Sequence, residues 1–535
     1  MFVEFLLVAT FLSALVVLAA PDRYAGKLAT ALSLLPLAGV AVMWTQYDAS
    51  GNALTGGEIA FETKETWFEF GSYTLQWYVG VDGVSFPLLA LTVVLVTLAL
   101  VSSWTPIDER ESQFYGLVLL LETALIGVFT ALDFFVWFVF WEFVLIPMYV
   151  LIAGWGGPRR KYAAIKFLVY TNLGSLVMFT GLFALVLGLG DSLTALSLPE
   201  ISQQLLAGNL GSIDVGLLGE TVTIDPAALE LGAFVLLFLG FAVKVPVVPF
   251  HTWLPDAHVE APTPVSVILA GVLLKMGTYA LLRFNFTMLP GVAEDLAAPI
   301  AAIGVISVVY GAMLALAQQD LKRIVAYSSI SSMGYVVVGL VAFTAHGMGG
   351  ATFQMISHGL ISALLFMAVG VVYNATHTRM VGDMAGLADR MPYTAWIFIA
   401  GAFGYMGLPL MSGFAAEVLV FVGAFDSTTI PAAPLVTAVA MFGIVIVAGY
   451  LLWGIQRSLF GGFDLETDYE IGHAPAHDIA PMLVLLALIV VLGVNPDIVY
   501  EAIQNAVSPL VEGGGVSSGS GTQSAVGALT GGGVR

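Results

Sequence analysis

Cysteine is absent from this chain, which excludes disulfides, thiolate metal sites and cysteine-held iron–sulfur clusters. Charge is scarce as well. Only 10% of the residues are Asp, Glu, Lys or Arg, against about 25% in an ordinary soluble domain. Basic residues are the rarest: 17 Lys and Arg stand against 37 Asp and Glu, for a net charge of −20. A chain this acidic lacks the basic surface that nucleic-acid binding requires. Soluble catalysis finds no support either, because no nucleophile elbow, P-loop or dinucleotide fingerprint stands in a suitable setting.

What is present is apolar sequence. Of 535 residues, 59% are hydrophobic, and the mean hydropathy is +0.95. Apolar runs of about 20 residues recur, long enough to cross a hydrocarbon core about 30 Å thick. The fold class is therefore an all-α polytopic membrane protein. Hydropathy and helix breakers place fourteen spans: 2–20, 26–45, 84–104, 113–131, 133–153, 165–188, 231–250, 264–285, 296–317, 322–343, 350–374, 394–423, 431–456 and 479–500. The first run carries Glu4 in place of a basic leader and is followed by Arg23 and Lys27. It reads as a helix that is kept, not a signal peptide.

Two spans are interrupted. Span seven contains Pro246 and Pro249, and span twelve contains Gly407, Pro409 and Gly413. They lie five spans apart. If spans four to eight and nine to thirteen are equivalent units, an odd number of helices makes them inverted repeats, and paired broken helices then point to a transport site. The chain divides accordingly: 1–112 holds three helices and an outer loop, 113–293 the first repeat and 294–460 the second. Residues 461–504 form a loop and span fourteen, and 505–535 form a Gly/Ser-rich flexible tail.

The few basic residues set the orientation, because short cytoplasmic loops collect Lys and Arg. With the N-terminus outside, Arg23, Lys27, Arg110, Arg159, Arg160, Lys161, Lys166, Lys322, Arg323, Arg379, Arg390 and Arg457 all fall inside. Only Lys64, Arg283 and Arg535 fall outside, and two lysines are buried in spans. Acids crowd into loops such as DLETDYE at 464–470, as strongly acidic surfaces do in a high-salt habitat.

Six ionisable residues lie well inside spans: Glu122, Glu142, Lys244, Lys275, His358 and Glu417. Each costs about 2.5–3.5 kcal/mol at a bilayer centre on insertion scales, so they should face water, the bundle interior or one another. Lys244 precedes Pro246 and Pro249, whose missing N–H groups should free the carbonyls of Ala242 and Val245. A buried ammonium beside freed carbonyls makes a pocket that water enters. Glu142 is its candidate partner. The residues alone leave two readings open: a lysine loaded and discharged as its partner moves, or a static ion pair locking two helices. Lys275 lies too deep to snorkel. His358 is either a satisfied core histidine or a relay, since histidine titrates near neutral pH. Glu122 reads as a helix-bonding residue and is a lesser candidate. His251 and His258 fit packing of a Pro-rich loop better than metal binding. Ser328, Ser329, Ser331 and Ser332 either line a water path or let helices approach.

The run VKVPVVPFHTWLPDAHVEAPTPVSVILAGVLLKMGTYALLRF resembles the signature of the antiporter-like subunits of respiratory complex I. WEFVLIPMYVLIAGWGG, QQDLKRIVAYSSISSMGY and HGLISALLFMAVG resemble further parts of it. The likeness covers about residues 80–460 and is closest to the M subunit, the counterpart of mitochondrial subunit four. Glu417 in span twelve, where the L, N and related antiporter subunits carry lysine, and the end of the chain after span fourteen both favour M.

The resemblance implies fourteen helices, two inverted five-helix repeats and broken helices seven and twelve. It implies a proton path through Glu142, Lys244, Lys275, His358 and Glu417, without a redox centre in this chain. Quinone, flavin and iron–sulfur centres would belong to partner subunits, with L and N subunits as neighbours. A subunit of a multisubunit sodium/proton antiporter is the alternative. The expected setting is a prokaryotic plasma membrane, that of a halophilic archaeon if the acidic loops reflect high salt. One departure stands out: Ser332 occupies a place where many M subunits carry histidine.

Overall fold

A computed structural model describes residues 1–71, 73–217, 220–467, 471 and 474–512. A helix, or a broken pair of helices, stands at each expected span. Among the described residues twelve helices are long and apolar enough to cross a membrane. Phe2–Leu18 and Ser412–Phe425 are apolar but shorter. The second of these is short because span twelve is split: Pro392–Tyr405 ends, a turn follows, and Ser412–Phe425 resumes. Gly407 at φ +62° permits that turn, because a residue without Cβ adopts a left-handed backbone freely.

Span seven is split in the same way, into Pro226–Lys244 and Trp253–Glu260. The freed carbonyls differ from expectation. The Ala242 carbonyl accepts the Val247 N–H at 3.3 Å, and the Val243 carbonyl accepts the Trp253 indole N–H at 2.9 Å. A wider turn at the helix end thus recovers a bond that Pro246 removes, and a tryptophan supplies another.

Two helices sit at the centre of the bundle, Thr263–Thr287 and Ala345–Thr376, with their apolar windows buried all round. They touch through glycine. A Cβ at Gly359 would press on the Gly271 carbonyl at 2.8 Å, so neither position has room for a side chain. The other helices wrap this pair, and their exposed large apolar residues, such as Ile146, Leu173, Tyr310 and Phe442, face outward.

The loops sort to two faces. One face carries two β-hairpins that hydropathy does not reveal: Ala60–Phe70 with Tyr73–Val81, and Ile213–Leu217 with Glu220–Ile224. Their polar, alternating strands satisfy backbone groups that would otherwise need water. The N-terminus lies on this face, with the Met1 amine bonded to Thr63 Oγ1 at 3.0 Å. The opposite face carries most of the basic residues and a short Met384–Ala385 to Asp464–Leu465 pairing.

Arg283 is no loop charge. It is 2% exposed, and its guanidinium bonds Asp82 Oδ1 at 2.5 Å and Asn52 Oδ1 at 2.9 Å. This bolts the long loop of the hairpin face to the central helix.

The C-terminal boundaries also differ from expectation. The helix of span fourteen ends at Val494, because Pro496 has no N–H to give and drives Asn495 off the helical backbone. A second helix, Asp497–Glu512, then lies on the hairpin face, burying Ile503, Ala506 and Val507. The tail expected from 505 thus begins no earlier than 513, and 513–535 fall outside the described residues.

Candidate functional site

Lys275 and His358 meet at the glycine contact between the two central helices. Lys275 Nζ stands 2.5 Å from His358 Nδ1 and donates to the Ala270 carbonyl at 2.6 Å. That carbonyl belongs to a π-helical stretch, Leu269–Leu273, whose widened turn leaves carbonyls off the regular ladder. The ammonium therefore has one acceptor built into its own helix and a second on the next. Both side chains are buried, at 0% and 1% exposure.

The far side of the imidazole is bonded too. His358 Nε2 lies 3.0 Å from the hydroxyl of Tyr405. Tyr405 is the last residue before the break in span twelve, and Ser329 and Ser362 stand beside its phenol oxygen. Across from it, the Tyr450 hydroxyl donates to Ser328 Oγ at 2.6 Å. Tyr450 is within electrostatic reach of both Tyr405 and Glu417. Glu417 is 5% exposed, and its Oε2 has no hydrogen-bond partner in the protein among the described residues. The serines of YSSISSMGY therefore divide: Ser328 and Ser329 face the polar chain, while Ser331 Oγ donates to the Val308 carbonyl and packs helices. Tyr405 and Tyr450 give no signal in the sequence, since a tyrosine in an apolar run reads as packing.

Lys244 stands at the corresponding place in span seven, the last residue before its break. The expected ion pair with Glu142 is not formed. The ammonium lies 4.3 Å above the Trp141 ring and has no hydrogen-bond partner among the described residues, while Glu142 Oε2 accepts from Asn172 Nδ2 at 3.3 Å. Glu142 is only half-buried. The ammonium faces the indole, and the acid acts on the lysine as a nearby charge and not as a contact. Glu122 is fully buried on Glu111–Thr130, and among the described residues neither carboxylate oxygen bonds a neighbouring helix, contrary to expectation.

His258 stacks on Phe366 with ring centroids 4.5 Å apart, and its carbonyl accepts the Ser266 hydroxyl. Lys322 and Arg379 donate to the nearby carbonyls of Ala261 and Val259. The Pro-rich loop is thus pinned from several helices. Among the described residues no group of three or more His, Asp or Glu is set to hold a metal.

This geometry meets independent likeness. Residues 131–443 match the family described as NADH:quinone oxidoreductase/Mrp antiporter, TM, and residues 59–128 match NADH-ubiquinone oxidoreductase chain 4, amino terminus. NAD(P)H-quinone oxidoreductase chain 4 1 of Nostoc sp. is 39% identical over 86% of this chain and 81% of its own. F(420)H(2) dehydrogenase subunit M of Methanosarcina mazei is 36% identical over 95% of this chain and 97% of its own. NADH-quinone oxidoreductase subunit M of Rhodobacter capsulatus is 39% identical over 82% of each. In three dimensions the chain is similar to one from respiratory complex I of Thermus thermophilus, with TM-score 0.82 at 24% identity over 96% of this chain and 99% of that one. It is also similar to a chain of the Mrp complex of Dietzia sp., with TM-score 0.79 at 25% identity over 95% of this chain and 52% of the other. With family models spanning both the hairpin loop and the bundle, this chain belongs to the chain 4, or M subunit, family of the NADH-quinone oxidoreductases.

Proposed function

We propose that this chain is the proton-translocating M subunit of a complex I-like quinone oxidoreductase. The observation that carries this reading is the buried contact Lys275–His358–Tyr405, three protonatable groups joined end to end in the middle of an apolar bundle. Static packing has no use for such a chain, because each buried polar group adds a desolvation cost that apolar residues avoid.

In this reading Lys244 receives a proton when the field from Glu142 favours its charged form, and releases it when that field weakens. The proton passes to Lys275 and His358 and leaves by Glu417. The broken helices at Lys244 and Tyr405 are the natural moving parts, since a half-helix can tilt without breaking a ladder. Electron transfer belongs to partner subunits holding quinone, flavin and iron–sulfur centres, with L and N subunits beside this one. The names of its relatives divide between NAD(P)H, NADH and F(420)H(2) as donors. We place fourteen crossings, two inverted repeats and the N-terminus outside, so that the basic face is cytoplasmic in a prokaryotic plasma membrane.

Proton uptake into inverted vesicles, driven by donor and quinone, tests the reading in an assembled Lys244→Ala complex. Uptake should vanish while the complex stays intact. Normal uptake would overturn the proposal. The alternative, a subunit of a sodium/proton antiporter, has the likeness to the Mrp chain in its favour. Copurification of redox subunits with this chain decides against it.

A further inference from the structure

Tyr405 ends the buried Lys275–His358–Tyr405 contact, and its hydroxyl has a second side. Its hydroxyl touches His358 Nε2 on one side, and on the other it faces Ser329 and Ser362. It sits at the end of a half-helix, the place that Lys244 takes in span seven. Next to Ser329 on the same helix, Ser328 Oγ accepts from the Tyr450 hydroxyl at 2.6 Å, and Tyr450 is within electrostatic reach of Glu417. Ser332 offers no ring nitrogen here, so a route from His358 to Glu417 through span ten has only hydroxyls to use.

We propose that Tyr405 is the outward proton relay of this subunit, passing protons from His358 into a ladder of hydroxyls formed by Ser329, Ser328 and Tyr450 that ends at Glu417. The inference rests on the proton-path reading above.

The step balances without an ion on the phenol. With Lys275 as an ammonium, His358 accepts at Nδ1 and carries its hydrogen on Nε2, which donates to the Tyr405 oxygen. The ammonium passes a proton to Nδ1, Nε2–H passes its own to the phenol oxygen, and the phenol O–H leaves toward Ser329. Lysine ends as an amine accepting from Nδ1–H, and the imidazole is neutral before and after with its tautomer exchanged. One proton has moved, and no other species is needed. Return of the ring to its first tautomer requires the imidazole to turn about its Cβ–Cγ bond, and onward passage requires the Ser328 and Ser329 hydroxyls to rotate about their C–O bonds away from the Ile324 and Val325 carbonyls.

Tyr405→Phe keeps the ring and removes only the relay oxygen. In inverted vesicles of the assembled complex, protons taken up per quinone reduced should fall about tenfold or more, as loss of a positioned proton carrier does. Tyr405→Ser, which restores a hydroxyl with room for water, should recover part of the loss. A purely packing role gives the reverse order, with Phe near wild type and Ser impaired. Tyr450→Phe breaks the ladder at its far rung and should also lower uptake, so failure of Tyr405→Phe to assemble leaves the proposal open to refutation. Wild-type uptake in assembled Tyr405→Phe, or in Tyr450→Phe, overturns it. Lys275→Ala is run alongside: if it too pumps normally, the proton-path reading falls, and if it alone fails, only the relay does.

Discussion

Lys275 and His358 stand 2.5 Å apart because Gly271 and Gly359, each within a turn of them, let the two central helices touch. The contact joins a proton donor to a group that accepts and donates at opposite edges. Its usefulness depends on lysine giving up its proton, which an arginine cannot do. We expect Lys275→Arg to lose proton uptake as fully as Lys275→Ala, by about a hundredfold. A charge-only role would leave Lys275→Arg active. Proton uptake per quinone reduced in assembled complex separates the two.

Lys244 is the clearest case of an energetic burden kept in place. Among the described residues its ammonium has an indole face but no hydrogen-bond acceptor and no ion pair. A cation over an aromatic ring gains about 2 kcal/mol when desolvated, less than burial of the charge costs. Lys244→Met, similar in volume, should therefore leave the thermal midpoint in detergent unchanged or raised while abolishing proton uptake. A lowered midpoint would mean that the lysine serves as a structural contact with Trp141.

Arg283 and Asp82 illustrate the opposite balance. Both are buried, Arg283 also donates to Asn52, and Asp82 accepts further bonds from the backbone of Ala53 and Ser85. Removing one partner strands a buried charge, which costs about 3–5 kcal/mol. Arg283→Leu and Asp82→Leu should each destabilise the hairpin face by that order, and the double variant by less than the sum. Burial alone would raise the Asp82 pKa, yet the Arg283 charge and the bonds it receives hold it below the usual 3.8. A depressed carboxylate adds stability that is fully present above 3.8 and lost as pH falls through the lower folded value. Thermal midpoints measured from neutral pH downward should thus show an acid loss in wild type that Asp82→Leu lacks.

The span positions, both interruptions and the charges within spans are legible in the sequence, because apolar length and isolated charge are local signals. Contacts are less so. Lys244 and Glu142 are opposite charges on neighbouring helices, yet the ammonium lies over the ring of Trp141, adjacent to Glu142 in sequence. No local pattern reveals which way an indole turns. Tyr405 and Tyr450 look apolar until the break in span twelve sets the Tyr405 hydroxyl beside His358 and the packing of span thirteen sets the Tyr450 hydroxyl beside Ser328. The hairpins have a faint signal, the alternation in FETKETWFEF before Gly71, but a window tuned to twenty apolar residues passes over it. Arg283 reads as a loop charge only because its partner lies 201 positions away.

Gly407 ties the break in span twelve to the carboxylate that ends the path. Its φ of +62° costs an L-residue about 1–2 kcal/mol, and a Cβ there would strike Glu417 Oε2. Gly407→Ala should therefore displace the carboxylate and lower proton uptake severalfold without unfolding the bundle. Backbone strain by itself needs a control, and Gly208 supplies one. It has φ +74° and no neighbour within 4 Å of an added methyl, so Gly208→Ala carries the same strain and meets nothing. Equal losses in the two variants would assign the effect to strain. A loss confined to Gly407→Ala assigns it to the position of the Glu417 carboxylate, and so places the last proton-carrying group of the path at the break itself.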